Sequence, residues 1–431
     1  MYNDDIGVLK ERLNAPTKTE RLEAILGIRK LIDKGVIPKP PKGRDINNHI
    51  HTIYSFSPYS PAKAVFLSWE AGLSTTGIMD HESISGAEEF IEAGKIMGMP
   101  TTVGAELRSS FEGTALEGRR INNPDQTTVA YVAFHGIPHT VIPEVEKFFS
   151  PLLVERGKRN RKMVDRINDI LKAADIRISY DDDVLPISME KENGSVTERH
   201  LLFATAKKMI FKLGKGSQMV DFLQKTLGIK VTGKNLDYLA DENNSMYDYD
   251  LLNVLKGNMV EQFFIPATGE APPIGMISEF AAKNGIILTY AYLGDIEESV
   301  TGDKKAQHFE DAFLEELFKT IGELDFKAVT YMPSRNSHEQ LSRLRALCEK
   351  YDFFQISGED INQPRQKFVC EAMRSSEFSN LHDAAWALIG HELLATGNLA
   401  DGMFSEETIR KIPDLHGRIK YFKDSAMQRY L

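Results

Sequence analysis

The stretch that decides the fold reads IPKPPKGRDINNHIHTIYSF, residues 37–56. Its first half is a Pro-rich spacer, and its second half sets two imidazoles, His49 and His51, two residues apart. Alternate residues of a β-strand point to one side, so the pair reads as a strand that offers two nitrogen donors to one ion. Upstream, Ile6, Leu9, Leu13, Leu22, Ile25, Leu26, Ile28 and Leu31 fall at helical spacing, which predicts a helical extension that ends in the spacer.

Downstream, short apolar runs alternate with amphipathic helices. STTGIM (74–79), TTVGA (101–105), GIILTY (285–290), FKAVTYM (326–332) and FFQIS (353–357) read as buried strands, and their alternation with helices predicts a parallel α/β layout. Ser60-Pro61 reads as an N-cap with Pro in the first helical position, and Gly72 closes that helix. Ser85 with Glu88 reads as a capping box for a helix that ends near Gly98. Between Val145 and Ile274 the pattern turns helical and charge-rich. One helix there, about 152–174, has Met163, Val164, Ile167, Ile170 and Leu171 on one side. Its basic residues, Arg156, Lys158, Arg159, Arg161, Lys162 and Arg166, read as a solvated face. The expected division is a helical extension over 1–43, an α/β unit split into 44–144 and 275–372, a helical insertion over 145–274, and a C-terminal helical extension over 373–431.

Composition sets the limits. A length of 431 residues leaves room for about three domains, and 42% hydrophobic with 26% charged residues excludes disordered and collagen-like classes. The 52 basic and 62 acidic residues give a net charge of −10, which disfavours nucleic acid as a partner. Cys348 and Cys370 are too few for a disulfide framework and read as core thiols of a reducing compartment. The opening MYNDDIGVLKERL lacks the basic and apolar regions of a secretory leader, and no run approaches membrane-spanning length, so a cytoplasmic protein with no membrane partner is expected. Gly-rich phosphate loops and a nucleophile elbow are absent from the sequence.

Ligand-type residues gather at the ends of the strand-like runs. Asp80-His81 follows STTGIM, Glu106 follows TTVGA, and Asp360 follows FFQIS. Parallel strands deliver the side chains at their C-terminal ends to one mouth. Mixed imidazole and carboxylate donors suit zinc, manganese or iron, and a carboxylate such as Glu106 is able to bridge two ions. His308, His338, His382, His391 and His416 lie in polar helical contexts and are expected at the surface.

The ordered set His49-Ile-His51-Thr52 with Tyr54-Ser55, Asp80-His81-Glu82 and Gly104-Ala105-Glu106 resembles the PHP domain, the polymerase and histidinol phosphatase superfamily. The likeness continues through His135 in YVAFHG, Arg199-His200 in SVTERHLLFA, and Gly358-Glu359-Asp360-Ile361-Asn362. It implies a distorted (β/α)7 TIM-like barrel and metal-dependent hydrolysis of a small phosphate monoester or nucleotide phosphate. It also implies His49, His51, Glu106, His135 and Asp360 as ligands to a divalent zinc, manganese or iron ion, with room for a second. Asp80 and His81 are then the candidates for acid or base work on the attacking water, and Arg199, His200, Asn362 and Arg335 for holding the phosphorylated substrate. Three positions depart from the family text. Phe56 stands where the family has Asp, Asn362 replaces the last closing ligand, and Thr289 to Tyr292 offers no imidazole where the family has a late His. His139, four residues beyond His135, is a candidate substitute. The departures carry an alternative reading, a non-catalytic module that binds a metal or an anion.

Overall fold

The computed structural model of the chain describes residues 6–41, 43–296 and 307–430; residues 1–5, on which the leader reading partly rests, lie outside them. Seven strands join in chain order: β1 (Ile46–Ile50), β2 (Thr75–His81), β3 (Thr101–Ser110), β4 (Val129–His135), β5 (Ile287–Ala291), β6 (Ala328–Tyr331) and β7 (Phe354–Ser357). Each apolar run named above is a strand, and most of their residues are buried, as expected where both sheet faces are covered. The sheet nearly closes on itself. His51 N–H donates to the Ile361 carbonyl at 2.9 Å, Ile361 N–H donates to the His49 carbonyl at 3.1 Å, and Asn48 Nδ2 donates to the Ser357 carbonyl at 2.9 Å. The result is a seven-stranded TIM-like α/β barrel.

One expectation fails. β4 pairs antiparallel with both β3 and β5, while every other neighbouring pair is parallel. A run such as YVAFH shows that a strand forms, but its direction depends on the connections either side of it. Because β4 runs backwards, its C-terminal end lies at the floor of the barrel.

Fifteen α-helices surround the described strands. α1 (Ile6–Arg12) and α2 (Lys18–Asp33) precede the barrel, α3 (Pro61–Glu70) and α4 (Ala87–Met97) are crossovers, and five helices form the insertion. These five are α5 (Ile142–Leu171), α6 (Glu198–Leu213), α7 (Ser217–Lys225), α8 (Gly233–Ala240) and α9 (Tyr247–Phe263). α10 (Ile274–Lys283) leads into β5, α11 (Leu314–Glu323) and α12 (His338–Lys350) are crossovers, and α13 (Ser379–Gly397), α14 (Glu406–Lys411) and α15 (Leu415–Tyr430) form the tail. The first helices share one core with the barrel: Leu9, Ile25 and Ile28 pack in the same cluster as Phe90 and Ala93. Arg21 and Glu89, both buried, join α2 to α4 through two charge-assisted hydrogen bonds of 2.9 and 2.6 Å. Most of the insertion's core is its own, from Met163 to Phe263, and it includes Phe56 from the barrel. In the tail, Leu388, Met403, Leu415 and Phe422 cover Ile287, Ala328, Phe354 and Ile356 of β5 to β7.

Helix ends follow their local chemistry in most places. The Ser60 hydroxyl accepts from Lys63 N–H with Pro61 in the first position, and Gly98 closes α4 at φ +67°. Ser85 does not cap α4: the helix begins after Gly86, and the Ser85 hydroxyl donates to Glu146 Oε1 at 3.0 Å. The helix expected from 152 begins at Ile142 and runs through Pro151. At 30 residues it is about 45 Å long, enough to carry the chain from the barrel floor back to the mouth. His391 is buried, accepting from Met403 N–H at Nδ1 (2.9 Å) and therefore donating from Nε2 to the Gly285 carbonyl (3.0 Å). His308, His338 and His416 are exposed, and His382 is half-buried between the carbonyls of Arg44 and Met373. Both cysteines are buried. No helix among the described residues is long and apolar enough to cross a membrane.

Candidate metal centre

β1 brings His49 and His51 to the barrel mouth, β3 brings Glu106, and the turn after β7 brings Asp360. Donor atoms of His49, His51 and Glu106 lie within 4.8 Å of one another, the one such group among the described residues. His49 Nε2 is 3.2 Å from Glu106 Oε1, and His51 Nε2 is 3.1 Å from Asp360 Oδ1. His81, at the end of β2, sets its Nδ1 3.4 Å from Glu106 Oε2 and stacks on His51 with ring centroids 4.7 Å apart. Asn362 Nδ2 donates to Asp360 Oδ1 at 2.6 Å and so orients that carboxylate.

The tautomer of His51 is fixed from behind. The Ser55 hydroxyl donates its single proton to Asp80 Oδ1 at 2.6 Å, so at the 3.1 Å contact with His51 it accepts, and His51 Nδ1 carries a proton. With Nδ1 protonated, His51 Nε2 meets the Asp360 carboxylate at 3.1 Å either as the second N–H of an imidazolium or, in a neutral ring, as a lone pair that an ion would share with that carboxylate. Among the described residues the buried Nε2 atoms of His49 and His51 meet no group but the Glu106 and Asp360 carboxylates. These nitrogens and the neighbouring carboxylates fit a divalent ion.

Electrostatics separate the roles of the imidazoles. Burial pushes the His49 imidazolium down, but the carboxylates of Glu106 and Asp360 outweigh it and lift its pKa to about 9. Burial raises the Glu106 carboxyl, and the surrounding imidazoles overcome this to hold it at about 2. Burial, with the adjacent charge of His51, lowers His81 to about 3, so His81 is neutral at neutral pH.

The mouth opens into a cavity of about 580 Å³. Strand ends form its floor, and α6 and α9 of the insertion form its far wall, with Arg199 and Lys256 lining it. Arg199 Nη1 is buried and has no hydrogen-bond partner among the described residues. The Arg199 charge, and after it desolvation, pushes Lys256 down to about 8. Arg335 lines the opposite side, and its Nε donates to the Leu293 carbonyl at 3.1 Å.

The structure thus brings together His49, His51, His81, Glu106, Asp360, Asn362, Arg199 and Arg335. Four other residues stand apart. Asp80 does not reach the cavity, because its carboxylate is taken up by Thr52 N–H (2.7 Å), Thr52 Oγ1 (2.6 Å) and Ser55. It orients His51 and is not placed for acid or base work on a water. His200 turns inward as well: its Nδ1 accepts from Thr197 N–H at 3.0 Å, capping α6, and its ring meets the edge of Phe56. It is not among the residues that line the cavity. His135 faces the barrel interior outside the close donor group, and burial lowers it to about 3. His139 lies beyond the reversed β4 at the floor, 3.2 Å from Glu392, which disposes of it as a substitute ligand.

Sequence reading missed Lys256, since a lone Lys on a helix carries no signal. It also misplaced Arg156 and Arg159, which are buried. Their signal was present, because 156, 159, 160, 163 and 167 share one helical face with the apolar core residues.

Fold and site together define a TIM-like α/β barrel with a mixed imidazole and carboxylate donor set at the C-terminal mouth. Two solved structures share this architecture. A protein described as a metal-dependent phosphoesterase from Bifidobacterium adolescentis matches 78% of this chain and 96% of its own, with a TM-score of 0.51 and 18% identity. An amidohydrolase from Chromobacterium violaceum, with bound sulfate and no metal, matches 76% of this chain and 90% of its own, with a TM-score of 0.50 and 14% identity. At such identities the likeness is one of fold. No family model and no curated protein matches the sequence.

Proposed function

We propose that the chain is a metal-dependent phosphoesterase of PHP type acting on a small phosphorylated substrate. The observation that carries this reading is the convergence of His49, His51, Glu106 and Asp360 at the barrel mouth, beside Arg199, Lys256 and Arg335, which form no salt bridge with any described residue. His49, His51, Glu106 and Asp360 would hold a divalent zinc, manganese or iron ion. Such an ion supplies Lewis acidity and a bound water of lowered pKa.

The remaining work falls to the chain's own groups. Arg199, Lys256 and Arg335 bind the phosphoryl oxygens of the substrate from two sides, Arg199 with a buried N–H free to donate. His81, neutral and beside Glu106, is placed to accept a hydrogen bond from the attacking water and orient it. Asn362 and the Asp80–Ser55 pair keep Asp360 and His51 in register, and Phe56 closes the site toward the insertion.

Metal analysis of the purified protein, with phosphate release from a panel of sugar, amino-alcohol and nucleotide phosphates, tests the reading. Stoichiometric zinc, manganese or iron and turnover of at least one ester support it. A protein that binds neither ion nor phosphate overturns it. Binding of both without turnover would make the chain the non-catalytic module instead.

A further inference from the structure

Three arginines and three glutamates, all buried except the half-buried Glu198, meet between the barrel and its insertion. Arg108 comes from β3, Arg156 and Arg159 from α5, Glu82 from the end of β2, Glu198 from the start of α6, and Glu270 from the segment before α10. Arg108 and Arg159 share Glu198 at 2.9 and 2.7 Å and share Glu270 at 2.8 and 2.6 Å. Arg156 grips Glu82, with Nη2 donating to Oε1 at 2.6 Å and Nη1 2.6 Å from Oε2. Three positive charges meet three negative ones. Arg108 and Arg156 line the cavity, yet their charge is already committed and does not serve a phosphate.

Glu82 directly follows His81, and its backbone is strained. Its φ is +40°, a left-handed conformation costly for a residue with a Cβ. The surroundings impose it: Glu82 N–H donates to the Glu106 carbonyl at 2.7 Å, and Glu82 Oε1 also accepts from Arg108 N–H at 3.2 Å. Among the described residues the His81 ring approaches Glu106, stacks on His51 and meets the Tyr131 ring at 5.9 Å, and no hydrogen bond to its Nε2 fixes it. Where it points is therefore set largely by the turn at Glu82.

We propose that Arg156 is a positioning residue, which clamps the strained Glu82 turn and through it aims His81 at Glu106. The insertion helix is in this way wired into the site on the barrel strands. A lysine at 156 keeps the charge but lacks the fork that matches a carboxylate. The kinetic arm of the test rests on the phosphoesterase reading; the spectroscopic arm does not.

The test compares wild type, Arg156→Lys, Arg156→Met, Glu82→Gln and the double variant Glu82→Gln/Arg156→Met. Arg156→Met alone strands a buried carboxylate and risks misfolding, whereas the double variant removes both charges. If Arg156 positions His81, the double variant keeps a cooperative melt while kcat on a phosphate ester falls by roughly a hundredfold, the scale of a small misplacement. KM stays within about twofold, because phosphate binding is untouched. In the metal-free protein the His81 ring resonances of the double variant shift from those of wild type. Wild-type kcat with unmoved His81 resonances would overturn the proposal, leaving Arg156 as charge balance only. A raised KM at unchanged kcat would overturn it too, by making Arg156 a substrate ligand. Should wild type lack phosphatase activity, the phosphoesterase reading falls and the resonances alone decide: a shift sustains the clamp, and identity refutes it.

Discussion

The centre depends on hydroxyls and amides that stand behind its ligands. Ser55 passes the demand of Asp80 for a proton on to His51 and so decides which nitrogen of that ring faces the cavity. Ser55→Ala should lower the affinity for zinc or manganese by about ten- to a hundredfold, the usual cost of losing such a partner, in a competitive metal titration. Lys256 gives a second expectation. Its ammonium, depressed to about 8, is charged at neutral pH and loses its proton as pH rises past that value. KM for a phosphate ester should therefore climb above about pH 8 in wild type, and Lys256→Met should flatten the climb. Stability moves the other way. The unfolded chain holds this proton more tightly, so the fold gains as pH rises from about 8 toward the ordinary lysine value, which a pH series of denaturant melts would show. Of this centre, the ligands were legible because each lies in or just after a strand-like apolar run, although β3 continues past Glu106 to Ser110. Lys256 was not, because only the folding of α9 over the mouth gives it a role.

Most elements are written in the local pattern: the apolar runs, the Ser60-Pro61 start and the Gly98 stop all act within a few residues of themselves. What escaped depends on partners distant in sequence. Ser85 prefers Glu146 to its own helix, and β4 takes its direction from strands on either side. Phe56 belongs to the same class. Read as a lost metal ligand, it proves to be the barrel's contribution to the insertion core, edge-on to His200 at 5.0 Å and to Phe203 at 5.6 Å. Phe56→Asp would bury a carboxylate among aromatic rings and should cost about 3 kcal/mol or more in chemical denaturation, instead of restoring an ion site. The two arginines of α5 teach the same lesson: a charge on a helix is solvated only if nothing folds over it.

At the scale of the whole molecule, barrel, preface and tail form one body. The tail covers β5 to β7, and Glu392 of α13 accepts from Val103 N–H (2.7 Å) and the Thr102 hydroxyl at the barrel floor. A fragment ending at residue 378 would expose Ile287, Phe354 and Ile356, and it should lose the cooperative thermal transition of the full chain, as calorimetry would record. The seam of the barrel has a different consequence. His49 and His51 lie on one lip of it and Asp360 on the other, separated by some three hundred residues of chain. Pairings this remote form late, since the entropy of closing so large a loop must be met first. The ligand set is therefore expected to be completed late in folding. An ion bound across the seam would act as a rivet, retarding the reopening of the sheet, and a half-made barrel would have no reactive centre to misuse.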